Sequence, residues 1–534
     1  MCLSRRIALA GCALLILGCS TPPIRYGTTP FHAEKVDELL RARPDDADLL
    51  FLRHEAHALA VCDKLAALRP TPLVLASVVD KHISDGVDVE ELGKFKDLLK
   101  RWIDCDSDNG MAVLIQGLLA VTMGDLKGGM EILVQASHLP GFRTYALDSG
   151  REMLRILQKE GLEEIEFLVD AACSASLANS RLSACALSAF RLLADSSREH
   201  YLRGHREMAI RLAEAEFRMA RAMRSTVAGL ADVWYADWRI ADSGARLCEL
   251  HLQDGNQDLA QKFATHSRNA SLDYEMWRAA AMGDSRNDPV SQLRKEAKGP
   301  VKSKDPWESL ILSGEESNRF WELIRKNETR IRPLLEDQIR RGYVPTILGG
   351  LSETDRKAVE ARVWPIDRFW KERSDFYPKS YGAENRKFLL NYLSAPGFDE
   401  DCELAGFLQE RAKYALIHHR DVEALPEARR FDDSSFAVVR AAFGERSERL
   451  REILEADEPS DPAACWALAK IGSPKSVPSL VKALVLDIWS RKVDTHFQEA
   501  VAAYFALVDL TGQDFGFDDD KWHEWAKGTG NWKE

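Results

Sequence analysis

Strand signals are almost missing from this 534-residue chain. No Asn-Gly or Asp-Gly hairpin joins alternating β-branched runs, and Asn109-Gly110 and Asp254-Gly255 lie between stretches of helical periodicity instead, so a sheet-based fold is not expected. No Cys-x-x-Cys pair is present, which removes the common zinc and dithiol frameworks. GxSxG, a Walker loop, GxGxxG and an EF-hand loop are lacking as well, so no familiar hydrolase, nucleotide or calcium motif is available. The apolar run Ile7 to Leu17 falls short of the about 20 residues that cross a hydrocarbon core. Basic residues are outnumbered, 72 to 84, for a formal charge of −12. An acidic surface repels phosphate backbones, so no nucleic-acid partner is expected.

What is there begins at the amino terminus. Arg5 and Arg6 precede the run Ile7 to Leu17, which is broken only by Gly11 and Cys12, and the turn-rich Ser20-Thr21-Pro22-Pro23 follows Gly18-Cys19. A positive start, a short apolar core and a stop in that order describe an export signal. Ile16-Leu17-Gly18-Cys19 resembles the bacterial lipobox. That resemblance implies lipidation of Cys19 on sulfur and cleavage before it. Leu9-Ala10-Gly11-Cys12 fits the letters too, but its apolar stretch, Ile7 to Gly11, is shorter than the roughly 7 residues such a core needs. Cys19 is therefore preferred and Cys12 stays open. Ser4-Arg5-Arg6 lacks the Phe and Lys of a twin-arginine signal. Acyl chains contribute about 0.8 kcal/mol per buried methylene and would hold the protein to a membrane. Ser20 after the cysteine, rather than Asp, favours the outer membrane facing the periplasm. Loss of Arg5 and Arg6 would take the charge from −12 to −14. Beyond Cys2, Cys12 and Cys19, the scattered Cys62, Cys105, Cys173, Cys185, Cys248, Cys402 and Cys465 form no disulfide framework and suit apolar helix positions.

The rest of the chain repeats a 3.6-residue apolar period with short breaks, as helical hairpins do. In the first half the clearest hairpin runs from Asp106 to Ser137. Asp106-Ser107-Asp108 offers capping oxygens, Met111 to Val121 forms one helix, Gly124-Asp125 turns, and Leu126 to Ala136 returns. This resembles a tetratricopeptide repeat: Gly117, Gly124, Leu133 and Ala136 match its small, turn and apolar sites, whereas Val113, Gln116 and Gly129 depart from the usual Trp, Leu and Ala. The neighbours Asp45 to Leu68, Leu73 to Lys100, Glu163 to Ala194 and Gly244 to Ser267 are degenerate versions. One repeat cannot bury its own face, so these must stack. The pattern lapses over Gly283 to Pro306, where Arg294, Lys295, Lys298, Lys302 and Lys304 make a basic run best explained as solvated linker. Helical signals resume over Trp307–Arg341 and Glu353–Val363.

Near the carboxyl terminus, Ala464, Ala467, Leu468 and Ile471 form one apolar stripe, Gly472-Ser473-Pro474 turns the chain, and Val477, Leu480, Val481 and Leu484 form a second stripe. Pro478 falls in a first turn, where its missing N–H is tolerated. Two matched stripes across a Gly-x-Pro turn resemble a bacterial HEAT-like repeat. Thr511-Gly512-Gln513-Asp514-Phe515-Gly516 followed by Trp522 and Trp525 resembles the closing segment of such repeats and suits a terminal cap.

Candidate chemistry is thin. His419-Arg420-Asp421 and Asp514-Phe515-Gly516 spell two kinase signatures, but Pro426 stands where the metal-binding Asn belongs and no glycine-rich loop exists. His54-Glu55-Ala56-His57 has its imidazoles at i and i+3 rather than the i and i+4 of a zinc protease, and His418-His419 points two ways. Trp364, Phe369, Trp370, Phe376, Tyr377 and Tyr381 form an aromatic cluster. It suits either a stacking platform for a peptide or glycan, carried by Trp364, Phe369, Trp370, Tyr377 and Tyr381, or the join between two modules, and the join is preferred. Asp518-Asp519-Asp520 suits a helix amino terminus better than a calcium loop.

The expected protein is all-α, a helical-repeat solenoid with a tetratricopeptide-like first half and a HEAT-like C-terminal region. Its expected parts are a leader over 1–18, a tether over 19–44, a repeat domain over 45–282, a linker over 283–306, a connecting region over 307–430 and a HEAT-like unit with its cap over 431–534. By analogy with solenoids, the expected role is a lipid-anchored scaffold for a protein or peptide, with no enzyme activity, cofactor or metal. An enzyme with a site assembled from remote residues, or a plain spacer, remain the alternatives.

Overall fold

The computed structural model describes residues 30–341 except 54–58, 86–91, 124, 163, 177–180, 227–229 and 285–313 (296 is described), and residues 425–529 except 430–433, 457–461, 485–492 and 517. Between 342 and 424 it describes 353, 354, 357, 359, 386, 387, 389–391 and 412–417. The protein is all-α: among the described residues every regular element is helical, and the sole β-type pairing is an isolated bridge between Asn109 and Gly141.

Helices α1 (Pro30–Ala42), α2 (Ala47–Arg53), α3 (Leu59–Leu68), α4 (Pro72–Asp85), α5 (Leu92–Cys105), α6 (Gly110–Thr122), α7 (Leu126–Ala136), α8 (Ala146–Glu160) and α9 (Ile165–Ser176) are short and pack side by side. The stretch expected as a tether is thus helical from Pro30, and Val36 is already buried. Four longer helices follow, α10 (Arg181–Leu202), α11 (Arg206–Thr226), α12 (Leu230–Gln253) and α13 (Gln257–Asp284), each packed on the next. The Asp254-Gly255 turn falls where expected, but its helices are about twice as long as the repeat pattern suggested. Then come α14 (Gly314–Lys326) and α15 (Glu328–Arg341), which pack on α9. The last group is α16 (Leu425–Ala428), α17 (Ser434–Ala442), α18 (Glu448–Ala456), α19 (Pro462–Ile471), α20 (Val477–Leu484), α21 (Val493–Thr511) and α22 (Asp519–Gly528).

The hairpin α6–α7 shows how sequence becomes packing. Asn109, rather than the Asp106-Ser107-Asp108 oxygens, caps α6 by accepting from Met111 N at 3.1 Å. Asp106 instead accepts from Asn109 Nδ2 at 2.8 Å and from the Tyr145 hydroxyl. Asp125 caps α7 through Gly128 N at 2.8 Å. Where the two helices cross, a Cβ on Gly129 would lie 2.7 Å from the Gly117 carbonyl oxygen, and one on Gly117 would lie 3.1 Å from that of Gly129. Gly129, a departure from the expected repeat, is therefore the second half of the close approach that Gly117 begins.

In the C-terminal hairpin, Ala464, Ala467, Leu468, Val477, Leu480, Val481 and Leu484 are buried and Ile471 is half-buried. Gly472 turns the chain with φ +74°, a conformation that suits a residue without Cβ. A 3₁₀ turn at Pro474–Ser476 leads into α20. The closing turn is built as a cap. Asp514 accepts from Gly516 N and the Tyr504 hydroxyl, Phe515 meets the Trp522 ring edge-on at 4.8 Å, and Trp522 donates its indole N–H to the Gly516 carbonyl at 2.9 Å. Trp522 is fully buried while Trp525 is half-buried, so one indole closes the stack and its neighbour flanks it.

α10 is the meeting point. It packs against α4 and α6 on the amino-terminal side, against α11 and α12 that follow it, and against α19 and α21 of the C-terminal group. Small residues permit the tight middle: Ser197 donates to the Ala209 carbonyl and Ser267 to the Ala241 carbonyl, both at 2.7 Å. Every residue of α12 from Arg239 to Leu252 is buried.

Candidate functional site

The residues expected to matter most lie outside the described residues. These are Cys19 with its leader, the cluster Trp364, Phe369, Trp370, Phe376, Tyr377 and Tyr381, His54 and His57, and His418-His419-Arg420-Asp421. Of the motifs that are described, Asp514-Phe515-Gly516 is consumed in the closing turn, and Asp518 caps α22 by accepting from Lys521 N at 3.1 Å. Cys62, Cys185, Cys248 and Cys465 are buried and Cys105 is exposed.

The most concentrated chemistry is an ionic lattice between α10, α11 and α12. Asp195 and Arg198 sit on α10, Glu216 on α11, and Arg239, Asp242 and Arg246 on α12. Arg198 donates to Asp195 at 2.9 Å and approaches Asp242 at 3.4 Å. Arg246 donates to Glu216, to Asp242 at 3.1 Å, and to the Ala194 carbonyl at 3.0 Å. Arg239 lies 3.6 Å from Glu216 and stacks over the Trp238 ring at 4.2 Å. Burial pushes the Asp195 carboxyl up against the pull of Arg198, Arg239 and Arg246. Burial also lowers Arg239 to about 10, with Glu216 and Asp242 opposing. Buried ions cost several kcal/mol each to desolvate, and close partners offset that cost. The lattice thus fixes three long helices in register, since each guanidinium reaches only the carboxylates of one alignment.

Perturbed groups cluster at functional sites, but structural networks perturb them equally. These acids and bases are spent on each other inside packed helices, which makes the lattice a brace. The sequence showed the residues without showing the lattice. Arg239, Asp242 and Arg246 at i, i+3 and i+7 resemble an ordinary solvated face. The usable signal was their setting, in a stretch from Arg239 to Leu252 whose other positions are largely Ala, Leu, Ile, Ser and Cys.

An open cleft of about 480 Å³ lies where α8, α9, α14 and α15 approach, lined by Gly161, Glu164, Ile165, Glu166, Arg325 and Glu328. Its charges are engaged: Lys35 pairs with Glu164, and Arg325 with Glu166 at 2.5 Å. Among the described residues no three His, Cys, Asp or Glu side chains are grouped to hold a metal ion, and no helix is long and apolar enough to cross a membrane. No protein-family model, curated protein or solved structure matches the chain.

Proposed function

We propose that this protein is a lipid-anchored helical-repeat scaffold of the bacterial cell envelope that binds a protein or peptide. The scaffold reading is carried by one observation: short and long helical hairpins lie side by side, with their buried charges spent on holding helices together. Stacked hairpins present extended surfaces of the kind on which solenoids take polypeptide partners. The anchoring rests on the sequence alone, on Arg5-Arg6, the apolar run and Ile16-Leu17-Gly18-Cys19.

Two experiments test the halves separately. Intact-mass analysis of the protein from membranes should find an amino terminus at Cys19 carrying acyl groups, and Cys19→Ala should leave the unprocessed mass. An unmodified terminus upstream of Cys12 would defeat the anchor. For the scaffold, a photoactivatable residue at the exposed positions Gln116, Lys127 or Glu207 should give discrete, saturable crosslinks to protein in intact envelopes. If a scan of exposed positions along the helices gives no saturable protein crosslink, the protein is a spacer.

A further inference from the structure

The C-terminal group is fastened to α10 by a polar cluster that the scaffold reading does not use. Arg203, just past α10, donates to the Phe505 carbonyl of α21 at 2.8 Å, across 302 residues of sequence. It also reaches Asp509 at 3.0 Å and lies over the Phe505 ring at 4.6 Å. One turn back, Glu199 is 1% exposed; its Oε2 is 3.5 Å from Arg203 Nε, and its Oε1 has no hydrogen-bond partner. His200 meets Phe505 edge-on at 6.2 Å and places Nδ1 3.3 Å from Nδ1 of His205. The charges that act on Glu199 are Arg203 and Asp195 on its own side and Asp509 on α21. Farther out, Glu249 of α12 joins the same turn through Gln253 and the Tyr201 hydroxyl, and Lys413 lies beside Tyr414, which packs edge-on against Tyr201.

We propose that Glu199 is a proton-operated catch between α10 and α21: protonated, it sits uncharged under the docked C-terminal group, and ionised, it draws water and loosens that docking. The geometry supports this because a carboxyl with one oxygen unbonded and the other 3.5 Å from its guanidinium is poorly prepared to hold a charge. Arg203 is committed elsewhere, to Phe505 and Asp509. Burial raises the Glu199 carboxyl to about 8, Arg203 opposes this, and Asp509 and Asp195 add to it. His200 is pushed down to about 4 by burial and then by His205 and Arg203, so it stays neutral where Glu199 titrates. A carboxyl whose docked value lies above its free value favours docking in acid. Docking then weakens as pH rises from the ordinary carboxylate range, levels off above about 8, and changes by at most about tenfold per pH unit.

Hydrogen exchange read by mass spectrometry on the full-length protein tests this, with rates corrected for intrinsic chemical exchange. Between about pH 5.5 and about pH 8, opening of α21 peptides should grow at least roughly thirtyfold and then flatten, while α6–α7 peptides keep their protection. Glu199→Gln, uncharged and nearly the same shape, should hold α21 closed throughout. Asp509→Asn, which removes a neighbouring negative charge, should move the plateau to lower pH. A flat wild-type profile, or a pH response unchanged in Glu199→Gln, overturns the proposal. Should Glu199→Gln lose protection along the whole chain, the direction of the Asp509→Asn shift decides: an unmoved plateau also overturns it.

Discussion

Consider what a single methyl group does at the crossing of α6 and α7. In Gly129→Ala the new Cβ would stand 2.4 Å from Val121 Cγ2, 2.7 Å from the Gly117 oxygen and 2.8 Å from Val121 N. The valine methyl can rotate away, but the other two atoms are backbone, so the helices must part. Overpacking of this kind costs about 1–3 kcal/mol, and the backbone clash argues for the upper end. Ala also gains about 1 kcal/mol over Gly in a helix, leaving a net destabilisation of about 2 kcal/mol. Gly93, in the first turn of α5, supplies the control, because a Cβ there meets nothing within 4 Å. Gly93→Ala should stabilise by roughly 0.5–1 kcal/mol. Both substitutions restrict the unfolded chain equally, so their difference of about 2–3 kcal/mol reports on the folded state alone. Guanidinium unfolding followed by circular dichroism measures the midpoints, and hydrogen exchange over residues 110–136 locates the loss. Equal midpoints for the two variants would refute the close approach of α6 and α7.

The ionic lattice should be sensitive to unpairing: Glu216→Ala, which takes away the carboxylate shared by Arg239 and Arg246, should cost about 3–5 kcal/mol in denaturant unfolding, and Glu216→Leu with Arg246→Leu, which removes one charge of each sign, should recover part of it. Trp522→Ala should cost about 3–5 kcal/mol in the C-terminal unfolding transition, because the indole is fully buried and tied to Gly516, while exchange protection in α6–α7 stays as it was. The C-terminal group should also lose stability in acid. Arg440 holds Glu445 down to about 2, with burial opposing and Arg429 and Ser447 assisting, so the stabilisation is complete above the ordinary carboxylate range and lost as pH falls toward about 2. Thermal melts of wild type and Glu445→Gln over that range should converge at the acid end.

Local structure was largely legible. The hairpin at 106–137 shows its helices through apolar spacing and its turn through Gly124-Asp125, and the one at 462–484 through matched stripes around Gly472-Ser473-Pro474. Both signals act within a few residues, where periodicity and turn chemistry operate. Cap identity was harder, because Asp106, Asp108 and Asn109 all carry suitable oxygens, and the competition was settled by Asn109 also binding Arg143, accepting from its N–H and donating to its carbonyl. The docking of α21 on α10 had no local signal at all. Glu499 to Leu510 has the apolar period of one more helix, and nothing near Phe505 states that its neighbour is 302 residues away.

The ionic lattice follows from the same nonlocal fact. A helix with one exposed side puts its charges in water, and Arg239, Asp242 and Arg246 have the spacing of such a side. Once α10, α11 and α13 surround α12, no solvent side remains between Arg239 and Leu252, and the charges must find partners inside or not be there. Hub position and buried charge are therefore one observation. Helices that end a stack can be polar on one face, whereas along the enclosed stretch of α12 Arg239, Asp242 and Arg246 each lie within reach of an opposite charge, on a neighbouring helix or one turn away on their own. Asp195 and Arg198 on α10 and Glu216 on α11 meet that demand. It follows that α10 to α12 should exchange as one cooperative unit, with the shorter hairpins opening at lower free energy on either side.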